Sequence, residues 1–499
     1  MVTVYPLFYV PYGEQNWSLN PGACSTMTQF CQLQNGRLGT VRTGTGNPMS
    51  MTGSDALHAE VFKQTDGTAR FIVGRKQNLD EYNSAGTRTN RGTGYNASTA
   101  DWDMAAWGNQ IIACNYLDAT QSSTGTGFSS LGGSSPKARR VAANVNFVML
   151  GDVDDGGSNV YTDMVWWSAI RNPSSWSPSI ATQAGNIRLL DQPGSIKRIV
   201  PYGDKFVVFK EDSIFIGTYI GPPFVFSFKV LIDNIGLSYP KGVTICDGKL
   251  FWAHRSGIYM YDGQQIKNIG VGVWFPTDMA SDTIRMRGDD TEGIVWIAGY
   301  NASTNAGHTG YIMNVINYNA RTGMWARVGT VCTSYVAGDA PSPPIVMGTA
   351  AEYNAFTTAW ANCGCAYIDN ASSAVADFMN AGTSITGGYS AAYATAAFTT
   401  GYWGENDSMN MVTRVYPRFC SPTAIFGGGT SYVSSATLSG YVNEFDVAAT
   451  TSSMSWNAEL MALDGRLSTR YKTLTVNFAS SMATQLGGLG IVETPAGKR

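Results

Sequence analysis

Short apolar runs divided by turn residues recur along the first two thirds of the chain. In "GDKFVVFKEDSIFIG" (203–217) a Gly-Asp turn leads into Phe206–Phe209, a polar link follows, and a second apolar run starts at Ser213-Ile214-Phe215. "DGKLFWAHRSGIYMYDG" (247–263) repeats that order, and "TEGIVWIAGY" with "TGYIMNV" repeats it over 291–315. Val207, Phe251 and Val295 hold equivalent places 44 residues apart, as do Ser213-Ile214-Phe215 and Gly257-Ile258-Tyr259. The third copy takes a polar insertion, "NASTNAGH", where a hairpin loop tolerates one. Upstream, "TARFIVGRKQNLDEYN" (68–83) and "GNQIIACNYLDATQ" (108–121) have the same cast, with Phe71 and Ile111 40 residues apart, and 144–170 is a further copy with a lengthened hairpin.

A unit of about 40–45 residues built of strands and tight turns, repeated some six times, predicts an all-β chain folded as a β-propeller. Each blade must bury both faces against its neighbours, so large apolar residues have to recur at the blade period. The expected division is a 1–55 arm and lead-in strand, propeller blades over 56–340, an Ala/Ser/Thr/Gly-rich connecting or blade-closing region over 341–407, and a C-terminal antiparallel sandwich or sheet over 408–499. The last residues, "GGLGIVETPAGKR", read as a flexible tail.

In the copy that begins at 144 and the turn after it, "MVWWSAIRNPSSWSP" (164–178) sets an aromatic strand beside a stiff turn. Trp166, Trp167 and Trp176, with Trp252 and Trp296 at matching places in later copies, are expected to form structural aromatic packing between blades. Val165 to Trp167 are assigned to the second strand of their blade. A sugar-stacking platform and a subunit contact are the competing readings. Asp152, Asp154, Asp155 and Asp163 in "GDVDDGGSNVYTD" have the rough spacing of a calcium loop, but Gly156 stands at position five and the closing residue is not Glu.

Composition narrows the function classes. Only 14% of the 499 residues are charged, against 44% hydrophobic, and the net charge is −3. A binder driven by nucleic-acid phosphates needs basic stripes, and the basic residues here are spread singly, "SPKARR" (135–140) being the one small cluster. No apolar run is long enough to span a membrane, and the opening "MVTVYPLFYVPYGEQNW" lacks the features of a signal peptide and reads as a strand or arm. The eight cysteines are scattered, several inside strand patterns, which favours reduced thiols; Cys363 and Cys365 alone are close, and they lack the second ligand pair zinc needs. His58, His254 and His308 have no partners at triad or ligand spacing. No nucleophile elbow, metalloprotease helix, phosphate-binding loop or sialidase box occurs. The chain is expected to have no catalytic residues, no cofactor and no metal beyond the candidate loop.

The string from Ser168 through Asn172-Pro173, Trp176, Gly194, Ile196, Ile199, Gly203-Asp204, Val207–Phe209 and Ser213-Ile214 resembles the central blades of tail hub, or nozzle, proteins of short-tailed bacteriophages. "NGRLGTVRTGT" (35–45) is similar to that family's segment before the first blade, and "DGRLSTRYKTLTVNF" (464–478) to its closing sheet. The resemblance covers roughly 35–330 and the last sixty residues, and leaves 340–400 unmatched. It implies a structural virion protein, assembled in the host cytoplasm as a hexameric ring in the phage tail. Its partners would be a head-to-tail adaptor and tail fibre or needle proteins, with genomic DNA passing through the ring without sequence-specific binding. Low charge suits both a subunit covered on several sides and a conduit that does not grip phosphates. The alternative from a different class is a glycan-binding or glycan-hydrolysing propeller.

Overall fold

The computed structural model describes residues 3–9, 22–28, 30–32, 37–40, 49–50, 56–83, 87–157, 159–270, 284–291, 293–303, 310–332, 345–348, 364–368, 375–379, 396–400, 402–404, 409–419, 433–441, 450–457, 459–478 and 485–496. Among these there is no helix, and so none long and apolar enough to cross a membrane.

Six four-stranded antiparallel sheets make a six-blade propeller. Blade 1 runs Ala56–Lys63, Ala69–Arg75, Asn78–Tyr82, Arg88–Thr93; blade 2 runs Asp103–Trp107, Gln110–Cys114, Gln121–Ser123, Ser129–Ser130. Blade 3 is Lys137–Ala143, Val148–Asp154, Val160–Trp167, Gly185–Arg188, and blade 4 is Ile196–Tyr202, Lys205–Lys210, Ser213–Gly221, Val225–Asp233. Blade 5 is Val243–Cys246, Lys249–His254, Gly257–Tyr261, Ile266–Asn268. Blade 6 joins Ile345–Gly348, Gly364–Ile368 and Val375–Met379 to the early strand Met49–Ser50, so its outermost strand comes from the other end of the sequence.

Burial explains the pattern of the runs. Middle strands such as Lys205–Lys210 and Lys249–His254 are covered on both faces, so they read as continuous apolar runs instead of alternating. Outermost strands such as Arg88–Thr93 and Gly185–Arg188 are largely exposed and spelled with polar residues. The turns carry matching chemistry: Asp247 and Gly248 both have positive φ (52° and 71°), the pairing a two-residue hairpin needs to follow the strand twist.

Separate cores fill the gaps between successive blades. Trp102, Ile72 and Ile111 fill that between blades 1 and 2, Trp176, Ile112 and Leu150 that between 2 and 3. Phe206, Val165 and Phe226 fill that between 3 and 4, and Trp252, Phe209 and Tyr259 that between 4 and 5. The 44-residue spacing is a structural register. Val207, Phe251 and Val295 pair with Val200, Thr244 and Gly288 on the preceding strands, which are themselves 44 residues apart.

The repeat at 291–315 departs from its siblings. Its strands Ile294–Ser303 and Gly310–Asn319 are ten residues each, lengthened by the insertion, and with Arg285–Asp289 and Trp325–Cys332 they form a meander. That meander belongs to a curled seventeen-stranded sheet which also takes in the strands before residue 41 and those after 396. Its first strand, Arg285–Asp289, packs against the first strands of blades 5 and 6 and so also borders the axis. The C-terminal strands are therefore continuous with the meander through one large core that includes Phe30, Val295, Phe398 and Leu474.

The expected flexible tail is instead a strand, Gln485–Pro495, paired along its length with Asn410–Phe419 and with Thr3–Tyr5. Its glycines imitate a linker, but Leu486, Leu489 and Ile491 are buried, and that burial holds it.

Candidate functional site: the charged axis of the propeller

The aromatic stretch of blade 3 is packing. Val160–Trp167 is the third strand of its blade, not the second, because Lys137–Ala143 precedes the hairpin. Trp176 is fully buried between blades 2 and 3, and its Nε1 donates to the Pro173 carbonyl at 2.7 Å. Trp166, half-buried, donates to the Trp176 carbonyl at 2.9 Å, and Trp167 to the Gln183 carbonyl at 2.9 Å. The 172–178 turn lies directly on Gly133, where a Cβ would stand 1.7 Å from the Ser174 carbonyl oxygen. Trp252 and Trp296 are buried as well, Trp252 between blades 4 and 5 and Trp296 in the curled sheet, so the five tryptophans do not form one cluster.

The four aspartates of the candidate cation loop have separate partners. Asp152 accepts from Arg139 at 2.9 Å and Asp163 accepts from Arg188 at 2.8 Å. Asp154 and Asp155 each cap a glycine N–H at 2.9 Å. Among the described residues no group of three potential ligands is brought together to hold a metal. Of the C-x-C pair, Cys363 lies outside the described residues; so does His308. His254 is buried and bonded to Ser256 at 2.7 Å.

The chemistry that does converge lies on the axis. The first strands of blades 1 to 4, the residues leading into the first strands of blades 2 and 5, and the strand Arg285–Asp289 bring together His58, Glu60, Asp101, Asp103, Arg140, Arg198, Lys241, Arg285 and Arg287. Asp103 is fully buried; one oxygen pairs with Arg198 and the other accepts the Val141 N–H at 3.0 Å. Asp101 pairs with Lys241 and lies 3.5 Å from Arg140. His58 links Arg285, 3.3 Å from its Nδ1, to Glu60, 3.4 Å from its Nε2; with Nδ1 accepting from a guanidinium, the ring proton sits on Nε2. Glu60 also faces Arg287 at 3.6 Å.

Burial and the neighbouring Lys241 and Arg285 push the His58 pKa well below the usual imidazole value. Burial would raise Asp101, but Lys241 and Arg140 outweigh it and hold the carboxyl well below its ordinary range. Burial and Arg285 bring Lys241 down to about 8 against the pull of Asp101. Among the described residues the cations Arg140, Arg198, Lys241, Arg285 and Arg287 are gathered around the carboxylates Glu60, Asp101 and Asp103.

One pH dependence follows. His58 stays neutral when folded but binds a proton when unfolded below pH about 6.5, so stability is full above that value and falls as pH drops through it. Between pH 6.5 and 5.5 the loss should be about 1 kcal/mol. His58→Gln should flatten that part of a urea-midpoint profile, and an unchanged profile would refute the assignment.

Sequence reasoning missed this network because the repeats were aligned on their second and third strands, while the charges lie at the first. A signal was present. Lys197, Lys241 and Arg285 recur 44 residues apart. In blade 4 a bulge between Ile196 and Arg198 leaves Lys197 paired with Glu211 at 2.7 Å and lets Arg198 take the axial place.

Beside the network a cavity of about 460 Å³ opens along the axis, lined by the first strands of blades 1 to 5 and by Arg287, Gly288 and Asp290.

No protein-family model matches the chain, and no curated protein matches it. Solved structures do. A streptogramin B lyase is 10% identical with a TM-score of 0.41, over 66% of this chain and 96% of that one. Virginiamycin B lyase from Staphylococcus aureus is 10% identical with a TM-score of 0.41, over 67% and 98%. The computationally designed Ika8 protein is 10% identical with a TM-score of 0.39, over 67% and 100%. At such identities and scores the likeness carries nothing about ligand or reaction.

Proposed function

We propose that this chain is a structural virion protein, the hub or nozzle subunit of a short phage tail, that assembles as a hexameric ring through which DNA is ejected and to which other tail proteins attach. The reading starts from the resemblance along Ser168–Ile214. The observation that carries it is where the exposed apolar side chains lie. Of the eleven large hydrophobic residues exposed among the described residues, nine fall between Val145 and Val230, in blades 3 and 4. Phe224 is 73% exposed, Leu190 65% and Ile180 64%. Exposed apolar side chains concentrated in two neighbouring blades favour a subunit contact over a free monomer. The paired charges on the axis also favour a structural part, since each carboxylate there already answers a cation.

Native mass measurement with negative-stain imaging tests this. Six copies of 53.5 kDa give 321 kDa, and a ring of that mass is expected, alone or after a head-to-tail adaptor ring is added. Phe224→Asp should lower the ring fraction without changing the thermal midpoint of the subunit. A chain that stays monomeric beside candidate tail proteins would overturn the reading and bring forward the glycan-binding propeller, for which a glycan array is the direct assay.

A further inference from the structure

The hairpin between the second and third strands of blade 5 gathers a histidine, a serine and a tyrosine. His254 pairs with Gly257 across the hairpin, so Arg255 and Ser256 form its turn. Ser256 is exposed there, while His254 and Tyr259 are buried. The Ser256 Oγ lies 2.7 Å from His254 Nδ1 and 2.8 Å from the Tyr259 hydroxyl.

The backbone fixes the direction of each hydrogen bond. The Ser256 N–H donates to His254 Nδ1 at 3.2 Å, so that nitrogen presents its lone pair and the ring proton sits on Nε2. An approach of 2.7 Å between Nδ1 and Oγ then requires the serine's own proton between them. A serine hydroxyl has a single proton to give, so Tyr259 donates its own to Oγ. The three groups form a relay that runs from Tyr259 through Ser256 to the imidazole.

Both flanking groups are held. The His254 ring stands edge-on to the Tyr259 ring at 6.1 Å, and Tyr259 stacks on Trp252 at 5.6 Å. Burial, with Arg255 beside it, pushes the His254 pKa below the usual imidazole value, so the ring is neutral at neutral pH and free to take a proton. Capping the turn needs only the Ser256 N–H on Nδ1. The tyrosine proton on Oγ goes beyond a cap, because it stabilises the oxygen as its own proton leaves. A hydroxyl within hydrogen-bond reach of a fixed neutral base is the arrangement that activates serine for covalent chemistry.

We propose that Ser256 is a nucleophile that accepts an acyl group from a small carboxylic ester, with His254 as its base and Tyr259 as the donor that steadies its oxygen. In that step the bond from Oγ to the acyl carbon forms and the ester C–O bond breaks. The serine proton passes to Nδ1 and from there to the departing alkoxide. Water activated by the same imidazole then releases the acid and restores the serine. The site lies within one hairpin of one subunit, so it stands or falls apart from the ring.

Treatment of the full chain with diisopropyl fluorophosphate, with the modified peptide mapped by mass spectrometry, tests this. Ser256 should be labelled at least about tenfold faster than other serines of the folded chain, and faster by as much than Ser256 itself in urea. The adduct should vanish in Ser256→Ala, and p-nitrophenyl acetate should acetylate the same residue. His254→Gln should slow labelling at least about tenfold, and Tyr259→Phe less. Labelling of Ser256 at the rate of the unfolded chain would overturn the proposal, and that comparison decides it even where His254→Gln folds poorly. Equal rates in wild type and a folded His254→Gln would also sink it.

Discussion

Asp103→Ala is expected to destabilise the propeller by about 3–5 kcal/mol, the usual cost of removing one partner of a buried ion pair. Asp103 has no exposed surface and answers two groups at once, the Arg198 guanidinium and the Val141 N–H of the next blade. Alanine leaves both unanswered. Asp103→Asn keeps an acceptor for the Val141 N–H and should lose less. Urea unfolding of the two variants measures the difference. Coupling can be isolated by adding Arg198→Met, which should recover part of the loss, since removing both partners relieves the uncompensated cation. A loss under about 1 kcal/mol for Asp103→Ala would mean that water already reaches the pair.

Trp176→Ala is expected to cost about 3–5 kcal/mol, the range for removing a large aromatic side chain from a core. The indole fills the space between blades 2 and 3 against Ile112, Val148 and Leu150. Its carbonyl also holds the Trp166 indole, so the variant should loosen the turn and the strand together. Trp166→Ala, at a half-buried position, should cost clearly less. Thermal midpoints of both variants, read beside glycan binding, separate packing from a sugar platform: a platform would lose ligand at Trp166 with little change in stability.

The blades were legible where burial is two-sided. Strands such as Lys205–Lys210 and Lys249–His254 must be apolar throughout, and the hairpins between them need Gly or Asp, so both leave marks at a fixed period. Blade 6 was not legible, because one of its strands, Met49–Ser50, is more than three hundred residues from its partner, and no local pattern reports such a pairing. The last strand was hidden for another reason. "GGLGIV" spells flexibility locally, and only its pairing with Asn410–Phe419 makes it a strand. The axial charges were the least legible, since first strands carry them singly and only the closed ring brings them together.

The joint in blade 6 bears on how the protein is made. Ser50 pairs with Val375, so 375 − 50 = 325 residues are synthesised between the two partners. At about 5–20 residues per second that interval is roughly 16–65 s. Blades 1 to 5 can settle in order behind the ribosome during that time, but the circle cannot shut. The early strand then waits with its hydrogen-bonding edge open, and a chain stalled before residue 375 would present that edge to whatever lies nearby.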